Sequence, residues 1–220
     1  MRTAINPSAT NTNRLVSYAL WAAILTIVYN VAEGMVSVIL GISDDTLALL
    51  GFGVDSFVEV LSGIGILHLI VRIRRAGMHD ITSRDRFEVR ALRITGTAFF
   101  ILTAGLIAGS VLNIMQRGHP ETTTAGIIIS LISIATMFAL MRWKLSLGRK
   151  LRSDAIIADA NCTKTCFYLS FILLASSIFY ETTGIAWFDI AGSLGIAWFA
   201  FSEGKESFEK ARKKEIECEC

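Results

Sequence analysis

The sequence predicts an all-α, polytopic membrane protein with six transmembrane helices, and three observations carry that prediction. The 220 residues are 53% hydrophobic, with only two prolines to interrupt helices. Charged residues gather between long apolar runs instead of interleaving with them. At about 1.5 Å of rise per residue, roughly 20 apolar residues cross a hydrocarbon layer of about 30 Å. Six runs reach that length: 15–40, 45–70, 94–116, 123–143, 155–179 and 184–203. The chain therefore divides into a flexible N-terminus at 1–14, a membrane domain at 15–207 and a short tail rich in Cys and Glu at 208–220. The polar start lacks the apolar core and small-residue cleavage site of a signal peptide, so it is expected to stay attached and poorly ordered.

Orientation follows from where Lys and Arg lie, because the net charge of +2 hides a lopsided distribution. The link between the second and third runs carries Arg72, Arg74, Arg75, Arg84, Arg86, Arg90 and Arg93. Lys144, Arg149, Lys150 and Arg152 follow the fourth run, and Lys205, Lys210, Arg212, Lys213 and Lys214 follow the sixth. The opposite links hold only Arg117, which puts both termini in the cytoplasm of a cell or inner membrane. A basic loop leading into an amphipathic helix on anionic headgroups accounts for 72–93, and nucleic acid is not an expected partner. Four cysteines in two close pairs, Cys162 with Cys166 and Cys218 with Cys220, do not form a secreted disulfide framework.

In the first run, Thr26, Asn30, Glu33 and Ser37 make a narrow polar stripe at helical spacing that should face the bundle interior. Glu33 is either a carboxyl hydrogen-bonded between helices or part of a cation path; ionisable groups inside spans favour the path. The link through Asp44 and Asp45 is a solvated turn. The second run holds Gly51, Gly53, Ser62, Gly63 and Gly65, small residues that let helices approach, together with Asp55 and Glu59. The third run carries no ionisable group and the fourth none before Arg142 at its end, and Gly105 with Gly109 is expected to form a small-residue contact. Trp187-Phe188-Asp189 and Glu203-Gly204-Lys205 anchor the two ends of the sixth run. Cys218 and Cys220 among three glutamates read equally as a solvated terminus or as a flexible collector of soft cations.

The pairs that carry chemistry are Asp55 with Glu59 and Cys162 with Cys166. Each is spaced by four, so each shares one helix face. Counted from opposite ends of their helices, Asp55 and Cys162 both reach roughly 15 Å into the layer. Carboxylates and thiols are costly in hydrocarbon, and a cation shared among the four offsets that cost. Asp159 continues the cysteine face nearer the cytoplasm as an access residue, whereas Lys164 points elsewhere, towards a carboxylate on a neighbouring helix.

These residues resemble the transmembrane domain of the cation diffusion facilitator family. The resemblance rests on the six runs, on Gly53-Val54-Asp55-Ser56-Phe57-Val58-Glu59, on Ala158-Asp159 followed by Cys162 and Cys166, and on Phe188-Asp189-Ile190-Ala191 with Glu203-Gly204. It implies a compact ion-handling bundle of the first, second, fourth and fifth helices, with the third and sixth alongside. Members commonly place Asp or His at all four ligand positions, and many continue into a cytoplasmic domain after the sixth span. Here thiols occupy two positions, which shifts the expected cargo towards Zn²⁺, Cd²⁺, Hg²⁺ or Pb²⁺, and fewer than twenty residues follow 203. A homodimer is therefore expected to form through the spans.

The expected function is outward transport of such a cation, coupled to protons. A free thiol ionises only at about pH 8.5, so metal binding releases protons and protons help release metal. Asn30, Glu33, Asp159, Cys218 and Cys220 are accessory or pathway candidates. No catalytic group and no resident cofactor are expected. The rival reading is a membrane metal sensor or scaffold that binds without transporting. A thiol oxidoreductase is disfavoured, because Cys162 and Cys166 lack the Cys-x-x-Cys placement at a helix start.

Overall fold

The computed structural model describes residues 7–76, 81–116, 123–151 and 154–219. Within them the chain forms six helices and no strand: α1 (Pro7–Ser43), α2 (Leu47–Ala76), α3 (Ile81–Gln116), α4 (Thr124–Leu151), α5 (Asp154–Thr183) and α6 (Trp187–Glu219). Five contain stretches long and apolar enough to cross a membrane: Arg14–Ser43, Leu47–His68, Leu92–Met115, Thr124–Leu151 and Asp159–Thr183. α6 falls short in hydropathy, because Asp189, Gly192, Ser193, Gly195 and Ser202 dilute its apolar residues. It still presents Trp187, Leu194, Trp198 and Phe201 outwards, and its other side packs on α3, α5 and α2.

Polarity is distributed inside out relative to a water-soluble protein. The α1 stripe faces inwards as its spacing predicts, with Asn30 and Ser37 fully buried, while Ile101 and Met115 are 69% and 75% exposed. Lipid supplies no hydrogen-bond partners, so the polar side must be the packed side. The protein is an integral membrane protein.

The helices overrun the apolar runs. α1 starts at Pro7, α2 and α3 extend to Ala76 and from Ile81, and α6 runs to Glu219. The terminal segments expected to be flexible are thus helical where described, from Pro7 and as far as Glu219; residues 1–6 lie outside the described residues. Pro7 suits a first helical position. Beyond residue 203, Glu206–Lys210 (2.7 Å) and Lys205–Glu209 (3.8 Å) lie one turn apart and support α6 outside the layer.

Three close pairs, α1 with α2, α3 with α6 and α4 with α5, build the bundle. α1 also meets α4 and α2 meets α5, so these four enclose one interior, while α3 and α6 pack alongside through α2 and α5. This is the arrangement the family resemblance implies. At the α1–α2 crossing a Cβ on Gly53 would lie 2.8 Å from Ser37 Cβ and from the Val38 nitrogen, so only glycine permits the approach. The expected contact at Gly105 is absent among the described residues, none of which lies within 4 Å of a Cβ built there. The close approach of α3 to α6 occurs instead where Gly96 and Gly204 meet, each within 3.3 Å of the other's carbonyl oxygen if given a Cβ.

The α1–α2 turn closes with the Thr46 nitrogen donating to Gly41 O (2.9 Å) and Asp45 in the left-handed region at φ 52°, a Schellman-type end. α2 then begins on a carboxylate from another helix. The Leu47 and Ala48 nitrogens donate to Asp189 Oδ2 and Oδ1 at 2.9 and 3.1 Å, so Asp189 joins the starts of α2 and α6. Glu181 serves α4 similarly, accepting from the Thr123 nitrogen and hydroxyl, both at 3.0 Å. Losing the charge of a buried cap costs about 1–2 kcal/mol. Asp189→Asn is therefore expected to lower the unfolding temperature in detergent while leaving metal-binding stoichiometry unchanged; lost binding in a folded variant would give Asp189 a direct part in the site.

Candidate metal centre

α1 and α2 form an acidic wall. Glu59 and Asp55 lie one turn apart on α2, both buried. Asn30 of α1 donates through Nδ2 to Glu59 Oε2 at 2.9 Å. Glu33, one turn further along α1, accepts from Tyr29 OH at 2.9 Å and from Ser56 Oγ at 3.2 Å. Glu33 therefore has one hydrogen bond between helices, from Ser56, as in its first reading, and one within α1, from Tyr29; the stripe alone revealed neither partner.

α5 supplies the facing wall. Cys166 is 1% exposed, and its thiol donates to Asp55 Oδ2 at 3.2 Å across the α2–α5 interface. Glu59 also bears on that thiol. Ser170 fixes the α5 backbone here, donating to Cys166 O (2.8 Å) and to Ser133 Oγ of α4 (3.0 Å). Two buried acceptors, Asp55 Oδ1 and Asn30 Oδ1, have no hydrogen-bond partner among the described residues. An unpaired carboxylate oxygen in such surroundings is costly unless a cation meets it.

Of the four ligands expected from sequence, the structure brings Asp55, Glu59 and Cys166 together. Cys162 is half-buried and free one turn nearer the start of α5, within the electrostatic reach of Glu59. Among the described residues no group of three or more His, Cys, Asp or Glu side chains is arranged to hold a metal ion. One oxygen of each carboxylate is engaged by a neighbour, Asp55 Oδ2 by the Cys166 thiol and Glu59 Oε2 by the Asn30 amide.

Asp159 and the lysines differ from expectation. Asp159 is paired with Lys144 of α4 at 2.9 Å, with the two side chains 7% and 2% exposed. Lys144 also donates to Thr163 Oγ1 at 3.0 Å. Sequence placed Lys144 in a solvated link, because it directly follows the apolar run. Its helical register was the better guide: Gly126, Ser130, Ser133, Met137, Leu140, Lys144 and Leu147 form one buried stripe at steps of three and four. Among the described residues Lys164 meets no carboxylate on a neighbouring helix; it is exposed, with Nζ 5.6 Å over the Tyr168 ring of its own helix. Cys220 and the side chain of Cys218 lie outside the described residues.

Comparison with known proteins agrees with this architecture. Residues 19–213 match the cation efflux transmembrane domain. An uncharacterized transporter of Methanocaldococcus jannaschii is 27% identical over 183 residues, which are 81% of this chain and 64% of that protein. Transmembrane protein 163 of Xenopus laevis is 25% identical over 178 residues, 81% of this chain and 61% of its own length. The chain thus spans less than two thirds of either relative.

Proposed function

Because the chain belongs to the cation efflux transmembrane domain family, we propose that it exports a soft or borderline divalent cation, Zn²⁺ or Cd²⁺ and by the same chemistry Hg²⁺ or Pb²⁺, through a site of Asp55, Glu59, Cys162 and Cys166. The observation that carries this reading is the Cys166–Asp55 contact between α5 and α2, with the second Asp55 oxygen buried and unpaired. A thiol against a carboxylate is the protonated form of a two-ligand set. When a metal ion arrives, the thiol proton leaves, and sulfur and oxygen both turn to the ion. Glu59 exchanges the Asn30 amide for the metal, and Cys162, one turn away, completes a four-coordinate set suited to Zn²⁺.

Proton release on loading makes the cycle an antiport in this reading. Protons from the outer side rebuild the Cys166–Asp55 contact and free the cation. Cytoplasmic termini, following the positive-inside distribution, and a homodimer joined through the spans belong to the same proposal, which involves no enzymatic step and no resident cofactor.

The test is metal-dependent proton movement in proteoliposomes across Zn²⁺, Cd²⁺, Hg²⁺, Pb²⁺ and Mn²⁺. The expected result is uptake of thiophilic ions with counterflow of protons and little movement of Mn²⁺. Stoichiometric binding without uptake would instead indicate a membrane-bound sensor or scaffold.

A further inference from the structure

We infer that Lys144 is the internal counter-cation of the ion site, a fixed positive charge that loosens the hold of Asp55, Glu59 and Cys166 on a divalent ion so that the ion can leave. This rests on the transport reading and adds to it a positioning residue outside the ligand set. The Lys144 ammonium is sequestered, 2.9 Å from Asp159 Oδ2 and 3.0 Å from Thr163 Oγ1, with Thr163 itself donating to Asp159 O at 3.2 Å. Thr163 adjoins Cys162 and lies three residues, about 4.5 Å of helix rise, from Cys166. An α4 charge is thereby held beside the α5 half of the site.

The two ends of the ion pair act in opposite senses. Asp159 stands one turn before Cys162 on the same face of α5 and brings a negative charge to the site, while the Lys144 ammonium, 2.9 Å from it, brings a positive one from α4. Lys144 therefore opposes an arriving cation, and Asp159 favours it. Stability alone gives no reason for the pair, since apolar residues of similar volume commonly serve a buried position as well. A transporter does need its cargo held loosely. At an effective dielectric of about 20, one unit charge roughly 10 Å from a divalent ion changes its affinity by on the order of a hundredfold, and screening leaves a shift of at least about tenfold.

The experiment compares the full-length wild type with Lys144→Gln, Lys144→Arg and Asp159→Asn. Cd²⁺ binding in detergent is read from thiolate-to-metal absorption, and Cd²⁺ uptake is followed in proteoliposomes. Lys144→Gln is expected to bind Cd²⁺ at least about tenfold more tightly with a reduced maximal rate. Asp159→Asn is expected to bind more weakly, and Lys144→Arg, which keeps the charge, to shift far less than Lys144→Gln. Both neutral variants destroy the same ion pair, so a merely structural role would move them in the same direction. Shifts of the same sign, or no shift, overturn the inference. If either single variant fails to fold, Lys144→Met or Asp159→Ser takes its place; shifts of opposite sign support the inference, and shifts of the same sign or no shift overturn it. A wild type that binds no Cd²⁺ overturns the transport reading and this inference together; a wild type that binds and transports while the variants fail these expectations overturns the inference alone.

Discussion

Cd²⁺ uptake by Cys166→Ser in inverted vesicles is expected to fall by more than about a hundredfold, since even the outer partners of metal ligands typically contribute ten- to a hundredfold. Serine keeps the shape and still hydrogen-bonds to Asp55, so the fold is retained. What is lost is the thiolate, for which a hydroxyl is a poor substitute with a soft cation. Asp55→Asn is expected to be as damaging, because it exchanges one of the two carboxylate oxygens, the acceptor of the Cys166 thiol at 3.2 Å or the unpaired one beside it, for an amide nitrogen and removes the negative charge from the other. Cys162→Ser should be the milder of the two cysteine variants, as Cys162 is half-buried and joined to neither carboxylate by a hydrogen bond in this conformation. Uptake rates together with Cd²⁺-thiolate absorption test the order. If Cys162→Ser were the more severe, the ion would sit one turn closer to Lys144, between Cys162 and Asp159.

Much of this site was legible because helical geometry converts spacing into direction. The intervals between Thr26, Asn30, Glu33 and Ser37 placed the four on one face, and all four are buried. Depth counted along α2 and α5 brought Asp55 to the level of the cysteines, and the Cys166 contact lies there. What spacing cannot supply is a partner on another helix. Asp159 lay on the right face, but its ion pair depends on how α4 packs against α5, and Lys144 looked solvated because it follows the last apolar residue. Gly105 and Gly109 had suitable spacing for helix packing, yet the α3–α6 approach occurs at Gly96 and Gly204. The helical continuation of the ends was hidden for a different reason: apolar periodicity stops at the membrane, whereas backbone hydrogen bonding does not.

Replacing Cys162 with His and Cys166 with Asp is expected to weaken the preference for Cd²⁺ over Zn²⁺. The variant keeps the spacing of four and the Asp55–Glu59 wall, and exchanges two soft ligands for a borderline and a hard one. Sulfur gains more from a polarisable ion than nitrogen or oxygen does, so the Cd²⁺ to Zn²⁺ rate ratio should fall, by on the order of tenfold if each ligand contributes about half of the preference. An aspartate at 166 would stand where the thiol now meets Asp55. The empty variant must therefore place a proton or a cation between two carboxylates, and its coupling should change with its selectivity. An imidazole at 162 titrates about two units below a free thiol, which shifts the pH at which loading releases a proton downwards. Zn²⁺ and Cd²⁺ uptake by wild type and double variant, measured in inverted vesicles at several pH values, separates the two effects. A rate ratio that stays constant or rises would mean that the thiols do not set the preference. Selection would then have to be sought in the carboxylates and in the charge that Lys144 places beside them.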